Sequence, residues 1–562
     1  MVLQILPPTF CFNLTYVPLV YSFRRAKNST QSRRKGAGTS AMNRHNLDLH
    51  LKKGWCNQYH KSELQENRSK MMKYGMIPAL FGTALFFFCA PPPMAAQSTF
   101  SLLYSFTATP TSSPYTNSDG TFPRADLIQS GGALYGTASQ GGAGYGTVFS
   151  IGTNGMSFTN LHSFVLSDGA VLYGGLVLSG DTLYGAAMDG GSLAAGTIFS
   201  LNTNGMNFTV LHTFPTRVYD SALNTYTNSD GAWPKGSLVL SGNTLYGTTS
   251  LAGKYGNGSV FAFNLNTMGF TNLYNFTTTV LSFPLDYLTN SDGAAPHAGL
   301  ILSGNALFGT TSVGGYSGNG AVFSINTDGS EFTNLYNFTA IPQGQSTNSD
   351  GASPQAGLVL SGNTLYGTTE NGGSSSFGTI FSLNTNGTGF ATLHSFAPTN
   401  GDGILPVADL IVSGNTLFGT ESRGGSVLDG SVFSINTDGT GFKNLYAFTS
   451  TTNSTNSDGA IPEAGLYLLG NTLYGVAAQG GGAGHGTVFS LSMTPTLGIV
   501  PMGNQAVISW PPWASNYELQ INTNQLSGSW SNVISGITIV NAGYMFTNTM
   551  NGHAAFFRLK AQ

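Results

Sequence analysis

Charged side chains are scarce in this chain, at 8% of 562 residues, about a third of the usual globular share. The scarcity does not signal disorder, because disordered segments are charge-rich and poor in aromatics, whereas 12% of these residues are aromatic. Cysteine is nearly absent. Cys11, Cys56 and Cys89 all lie before Gln97, so a chain processed there has no disulfide, no thiolate nucleophile and no Cys-ligated metal. Basic residues are missing from the body as well. Thirteen of the 21 Lys and Arg precede Tyr74, and from Gln97 onward 8 basic residues face 21 acidic ones, a net charge near −13. Nucleic-acid binding needs basic clusters that displace counterions, which excludes nucleic acid as a partner. No apolar run long enough to span a bilayer follows Gln97, so no transmembrane anchor is expected in the mature chain.

The front of the chain reads as a processing segment. Lys73 gives a small positive region, Ile77–Cys89 is the apolar stretch, and small residues follow at Ala95 and Ala96. That is the pattern of a signal peptide over 71–96, cleaved before Gln97. Residues 1–70, basic and without pattern, read as a start placed too early or as a disordered basic segment. The competing reading is a cytoplasmic arm ahead of a retained anchor. The protein is therefore expected to be secreted or held at the cell surface.

What the chain has in abundance is repetition. Gly-x-x-Leu-Tyr/Phe-Gly recurs seven times, with its Leu at 134, 183, 245, 307, 365, 417 and 473. Fixed units at variable spacing mean a constant core with variable loops. In the copy Ala356–Phe396, the run Ala356–Leu360 meets Gly362-Asn363 and a second run starts at Thr364. Gly followed by Asn, Asp or Gly supplies the positive φ of a hairpin turn. A third run, Gly378–Leu383, follows a glycine-rich loop, and Asn386-Gly387 turns into a fourth, Phe390–Phe396. Four short antiparallel strands per unit, seven times over, describe propeller blades. The fourth-strand pattern is absent after Gly486–Leu491 but present at Phe100–Phe106. The sequence thus predicts an all-β fold, a seven-bladed β-propeller over 97–493 closed by its N-terminal strand, so that no blade edge stays open.

From Thr494 the repeat stops. The runs Gln505–Trp510, Asn516–Ile521, Trp530–Ile534 and Ala554–Leu559 predict a small β-sandwich over 494–562, resembling fibronectin type III. In the repeats, Gly414-Asn-Thr-Leu-Phe-Gly-Thr420, Gly430–Gly439 and Ser457-Asp-Gly459 resemble the GloVer tandem repeat of secreted bacterial proteins whose C-terminal anchor varies from member to member. The resemblance covers roughly 98–493. It implies an exported or surface location and no particular activity, and this chain lacks a recognisable sorting tail.

The copies act as internal controls: residues shared by all serve the blade, and a unique site must use positions that differ. An Asp-Gly turn occurs in all seven, at Asp119, Asp168, Asp230, Asp292, Asp350, Asp402 and Asp458. One reading is an Asx-turn in which the carboxylate bonds backbone N–H groups. The other is a ring of carboxylates that collects Ca²⁺; otherwise no cofactor is implied. The differing positions lie in two loops expected on one face. The residue after the loop proline is Arg124, Lys235, His297, Gln355, Val407 or Glu463, and the second copy lacks the proline. The residue before the third-strand Gly varies from Tyr145 to Phe377 to His485. Candidate ligand-binding residues are therefore Arg124, Tyr145, Trp233, Lys235, His297, Phe377 and His485, set against free drift of exposed tips. His162, His212 and His394 fill a slot that is Tyr in other copies, which marks a strand residue. No triad, phosphate loop or zinc motif is present, and catalytic residues are not identifiable. The expectation is an exported non-enzymatic binding or scaffold protein contacting an extracellular glycan or protein; the alternative is a polysaccharide hydrolase or lyase.

Overall fold

The computed structural model describes residues 3–5, 98–110, 115–282, 287–398, 401–425, 428–502, 504–523, 529–540, 543–549 and 555–562. The signal-peptide segment lies outside them. Of residues 1–96, only Leu3–Ile5 are described, as a strand paired with Ala555–Phe557.

The described chain is all-β, without an α-helix, and is built mainly of four-stranded antiparallel sheets. In the fifth repeat, Val359–Ser361, Thr364–Thr369, Thr379–Asn384 and Ala391–Ser395 pair in that order. The other repeats follow the same order. In the seventh, Tyr467–Leu469, Thr472–Ala477 and Thr487–Ser492 receive Thr99–Ser105 as the outer strand, with Phe100 opposite Leu491 and Tyr104 opposite Val488. The first strand is shorter than the apolar run Ala356–Leu360 suggested. Only its end pairs, because Ala356 instead offers its carbonyl to Thr310 Oγ1 of the preceding sheet at 2.9 Å.

The repeat motif has a packing reason. Its second glycine (Gly309 in the fourth repeat) faces the third-strand phenylalanine: a Cβ there would lie 2.6 Å from Phe323 Cζ and 2.8 Å from Leu300 Cδ2. The first glycine (Gly304) sits at φ +59° in the hairpin turn, with open space around it. Overpacking a tight core costs about 1–3 kcal/mol. We expect Gly309→Ala to lower the urea midpoint clearly more than Gly304→Ala, which meets only backbone strain. Equal midpoints for Gly309→Ala and wild type would refute this packing.

Consecutive sheets share one apolar layer each. Val260 and Tyr246 of the third sheet pack with Leu307 and Phe323 of the fourth. The first sheet packs with the seventh as well as with the second, Leu134 and Phe149 lying against Phe106, Val476 and Val488 of the seventh and Tyr135 and Val148 against Leu183 and Phe199 of the second. An outer aromatic series repeats the pattern. The Tyr or His of each fourth strand stacks on the Phe of the next: Tyr104 on Phe158, His162 on Phe208, His212 on Phe270, Tyr274 on Phe332, Tyr336 on Phe390, His394 on Phe442 and Tyr446 on Phe100, at 3.7–4.4 Å. Such pairs contribute about 0.5–1.5 kcal/mol beyond area burial.

After the repeats, Gly498–Met502, Gln505–Trp510, Gly543–Thr549 and Ile537–Val540 form one sheet, while Tyr517–Asn522, Ala555–Ala561 and Ser531–Asn532 belong to another. Ile508, Trp510, Leu519 and Phe557 form the core between them. Trp513 packs partly on this core and partly on that of the sixth and seventh repeats. Trp530 lies under the Arg558 guanidinium at 4.3 Å.

Candidate functional site

The entrance to each first strand is built the same way. The residue before the proline, or before Leu172 in the second copy, has a left-handed backbone in every repeat: Phe122, Val171, Trp233, Ala295, Ser353, Leu405 and Ile461 have φ of 52–61°. For non-glycine residues this conformation costs about 1–2 kcal/mol each. Two backbone hydrogen bonds hold it. The N–H donates to the preceding sheet's loop carbonyl (Phe122 to His485, Leu405 to Phe377, 2.9–3.1 Å), and the carbonyl accepts from the end of its own second strand (Ser139 to Phe122, 3.2 Å). The proline then seats on the preceding sheet's glycine, where a Cβ on Gly486 would lie 2.5 Å from Pro123 Cδ. The next residue is thereby fixed in direction.

Those next residues meet. Arg124, Tyr173, Lys235, His297, Gln355, Val407 and Glu463, one from each repeat, line a single cavity of about 520 Å³ together with Trp233, Glu370, Asp126 and Asp409. Arg124 forms an ion pair with Glu463. The Tyr173 ring lies 5.7 Å from the Arg124 guanidinium and 5.6 Å from the Lys235 ammonium. Burial pushes the Lys235 ammonium below its ordinary range, opposed by the charges of Glu463 and Glu370. His297 and Gln355 are linked through Nδ1 and Oε1 at 2.6 Å, and Gln355 Nε2 donates to Glu370 at 3.2 Å. The amide nitrogen being engaged, its oxygen accepts from His297 Nδ1, which leaves Nε2 with the lone pair. Burial and the Lys235 charge hold His297 down to about 4, so the imidazole is neutral at physiological pH.

Two aspartates share this cavity. Asp126 Oδ1 accepts from Gly465 N–H and Asp409 Oδ1 from Gly357 N–H, both at 2.6 Å. Burial raises both carboxyls above the usual carboxylate range, and the charge of Asp409 raises Asp126 further. Like charges in one site cannot both ionise cheaply, so the pair keeps a proton to higher pH than an isolated carboxylate. The sequence reading missed Asp126, Asp409, Glu370 and Tyr173. The signal was present: three residues past the loop proline, or past Leu172 in the second copy, four copies have Gly (175, 299, 357, 465) and one has Ser237, while Asp stands at 126 and 409.

Of the expected binding residues, Arg124, Trp233, Lys235 and His297 line the cavity, and Tyr145, Phe377 and His485 do not. Trp233 is half-buried under Arg217, at 4.6 Å. Tyr145 and Phe377 contribute backbone carbonyls to the next repeat, and Phe377 packs against the core between the fifth and sixth sheets. His485 Nε2 accepts from Thr109 N–H at 3.3 Å, and its ring meets Phe122 edge-on.

The turn aspartates fasten fourth strands. Asp350 Oδ2 accepts from Tyr336 OH at 2.8 Å and from Thr339 N–H at 2.9 Å. Asp119, Asp292 and Asp458 repeat this arrangement with Tyr104, Tyr274 and Tyr446. Where the slot is histidine, His162, His212 and His394 lie 3.0–3.2 Å from Asp168, Asp230 and Asp402. The Asx-turn role belongs instead to an asparagine two residues earlier: Asn348 Oδ1 accepts from Gly351 and Gly373 N–H at 3.0 and 2.9 Å. Among the described residues no three His, Cys, Asp or Glu side chains gather in a metal-holding group.

Burial holds the His162 imidazole below its ordinary 6.5, against the pull of Asp168. The folded state then binds this proton less readily than the unfolded chain, so the associated stability is full above pH 6.5 and is lost as pH falls below it. His162→Tyr, the residue four other copies use, should unfold at progressively higher temperature than wild type as pH drops from 7 to 5. Parallel pH profiles would contradict the assignment.

The profile of the Gloeobacter/Verrucomicrobia repeat matches residues 94–222, 215–342 and 280–489. The chain belongs to the Gloeobacter/Verrucomicrobia repeat family. This repeat protein has no match among curated proteins. Its neighbours among solved structures are propeller-like. They include oligogalacturonate lyase from Vibrio parahaemolyticus, with TM-score 0.40 and 11% identity over 70% of this chain and 97% of that one. The N-terminal domain of Nup159 gives TM-score 0.40 and 11% identity over 72% and 98%. TolB from Acinetobacter baumannii gives TM-score 0.31 and 13% identity over 52% of the repeat protein, which spans 58% of that chain. Likeness at this level bears on neither activity nor ligand.

Among the described residues no helix is long and apolar enough to cross a membrane.

Proposed function

We propose that this repeat protein is an exported binding or scaffold protein, a closed seven-bladed propeller followed by a fibronectin type III-like module, and that an extracellular glycan occupies its cavity. The observation that carries the reading is the cavity lining: a scaffold repeated seven times presents seven unlike side chains to one space. The scaffold alone would bring equivalent positions together; what free drift does not supply is the bonding among them, Arg124 with Glu463, His297 with Gln355 and Gln355 with Glu370. A volume of about 520 Å³ suits a small-molecule or sugar segment, while a protein partner would need a broader surface. Closure is supported by the pairing of Thr99–Ser105 with Thr487–Ser492 and by the aromatic series that returns from Tyr446 to Phe100. Export is inferred from the apolar stretch Ile77–Cys89 and the repeat family.

A second reading, a polysaccharide hydrolase or lyase, is favoured by one feature: Asp126, Asp409 and His297 line the same cavity. Residues 97–562, passed over immobilised polysaccharides with and without calcium, distinguish the readings. Retention without product release, lost in Lys235→Met and indifferent to EDTA, is the expected result. New reducing ends or unsaturated products would establish the enzyme. Absence of both retention and turnover would overturn the proposal.

A further inference from the structure

Resting on the reading of the cavity as a glycan site, we propose that it selects an uncharged sugar residue, with hydroxyls placed between Lys235 and the aspartates Asp126 and Asp409. The charge layout decides among acidic, basic and neutral ligands. Arg124 is already engaged by Glu463, and Lys235 feels the opposing charges of Glu463 and Glu370 without an ion pair to either. His297 adds no charge. What remains is the aspartate pair, which has no cationic side chain bonded to either carboxyl among the described residues and holds only a glycine N–H on each Oδ1. A carboxylated or sulfated sugar would bring its anion against this pair, with no unengaged guanidinium to receive it. An amino sugar would bring an ammonium, which has donors but no lone pair to accept from Lys235 and carries the same sign of charge.

A neutral pyranose meets no such opposition and matches the unspent bonding capacity. Lys235 has no hydrogen-bonded or ion-paired partner in the described chain, and its ammonium lies 5.6 Å from the centre of the Tyr173 ring. Each aspartate has Oδ1 committed to a glycine N–H, at 2.6 Å, and Oδ2 carries no hydrogen bond within the described chain. A sugar hydroxyl is both donor and acceptor, so one ring can accept from Lys235 while donating to Asp126 or Asp409. Its C–H face suits the rings of Tyr173 and Trp233, which both line the cavity.

The test is calorimetric titration of residues 97–562 with oligosaccharides of equal length: cello-, malto-, manno- and xylohexaose as neutral probes, hexagalacturonate as acidic, hexaglucosamine as basic. At least one neutral series should bind, at least tenfold tighter than the acidic and basic probes. Lys235→Met should weaken it tenfold or more. Asp409→Asn should narrow the gap between neutral and acidic probes, because it removes the excluding charge without changing shape. Acidic or basic probes binding as well as the neutral ones would overturn the selectivity while leaving the glycan site standing. Binding that survives both substitutions, or no binding by any probe, would overturn the glycan site itself. Thermal melts of each variant separate lost binding from lost folding, and Asp126→Asn serves if Asp409→Asn does not fold.

Discussion

A chain of residues 107–562 should, unlike residues 97–562, lose its cooperative unfolding transition and aggregate. The missing segment is a single strand, Thr99–Ser105, yet its removal touches three structures at once. It strips Thr487–Ser492 of its outer partner and exposes an unpaired strand edge, a template for association. It removes Phe100, which stacks on Tyr446 at 4.2 Å and on Phe489 at 5.6 Å. It also removes Phe106, which is fully buried between the seventh and first sheets. Phe106→Ala alone should cost about 3–5 kcal/mol, a large share of the 5–15 kcal/mol of a typical domain. Urea unfolding followed by tryptophan fluorescence checks both, and adding a synthetic peptide of residues 97–108 should restore the transition. A truncated chain with the wild-type midpoint would mean that the first strand merely decorates an already complete fold.

The second large effect is a stabilisation. Glu421 stands where other copies have Ala or Thr, and its side chain is fully buried. One oxygen accepts from Ser431 Oγ and from Gly403 N–H; the other, Oε1, is buried without a partner among the described residues. Burial raises its carboxyl from 4.5 to about 7, against those two hydrogen bonds. Below pH 4.5 both states hold the proton and nothing is lost. Between 4.5 and 7 the unfolded chain releases it while the folded chain does not, so stability declines as pH rises and levels off above 7. The loss is on the order of 3 kcal/mol at about 1.4 kcal/mol per unit. Glu421→Thr, the residue at 249, 311 and 369, should therefore gain little at pH 4 and several kcal/mol at pH 8. A gain independent of pH would place the proton elsewhere.

Much of this architecture is legible because the chain repeats itself. A single Gly-x-x-Leu-Tyr-Gly is weak, but seven copies fix the hairpin turn at Gly304-Asn305 and its counterparts. They also expose the missing outer strand at one end and the extra strand at the other. What escaped the sequence is what depends on contacts between repeats. The turn aspartates read as Asx-turns because only local partners can be seen. Four of the carboxylates instead reach tyrosines twelve to eighteen residues earlier and three lie against histidines, while in five copies an asparagine two positions upstream does the local work.

The site divides along the same line. Variation after the loop proline singled out Arg124, Lys235 and His297 and pointed to Gln355, Val407 and Glu463, all of which the cavity brings together. Tyr145, Phe377 and His485 vary equally, yet their common contribution is a backbone carbonyl to the next repeat. A carbonyl places no demand on side-chain identity, so those positions are free to differ. Asp126 and Asp409 were passed over because they sit beyond the loop, inside a run that reads as apolar strand. Asp replacing Gly in two of seven copies was the mark they left.

Circular closure can be tested covalently, because no cysteine follows Gln97. Ser101 lies opposite Ser490 in the pairing of the first strand with the last, and facing strand residues fall within the Cα separation a disulfide needs. The variant Ser101→Cys/Ser490→Cys, cleaved once at an exposed loop and run without reductant, should remain one covalent species. Ser101→Cys/Ser434→Cys, at the same position of the neighbouring sheet, should separate into two. Separation of the first pair, or linkage of the second instead, would contradict the closed ring and the shared cavity that depends on it.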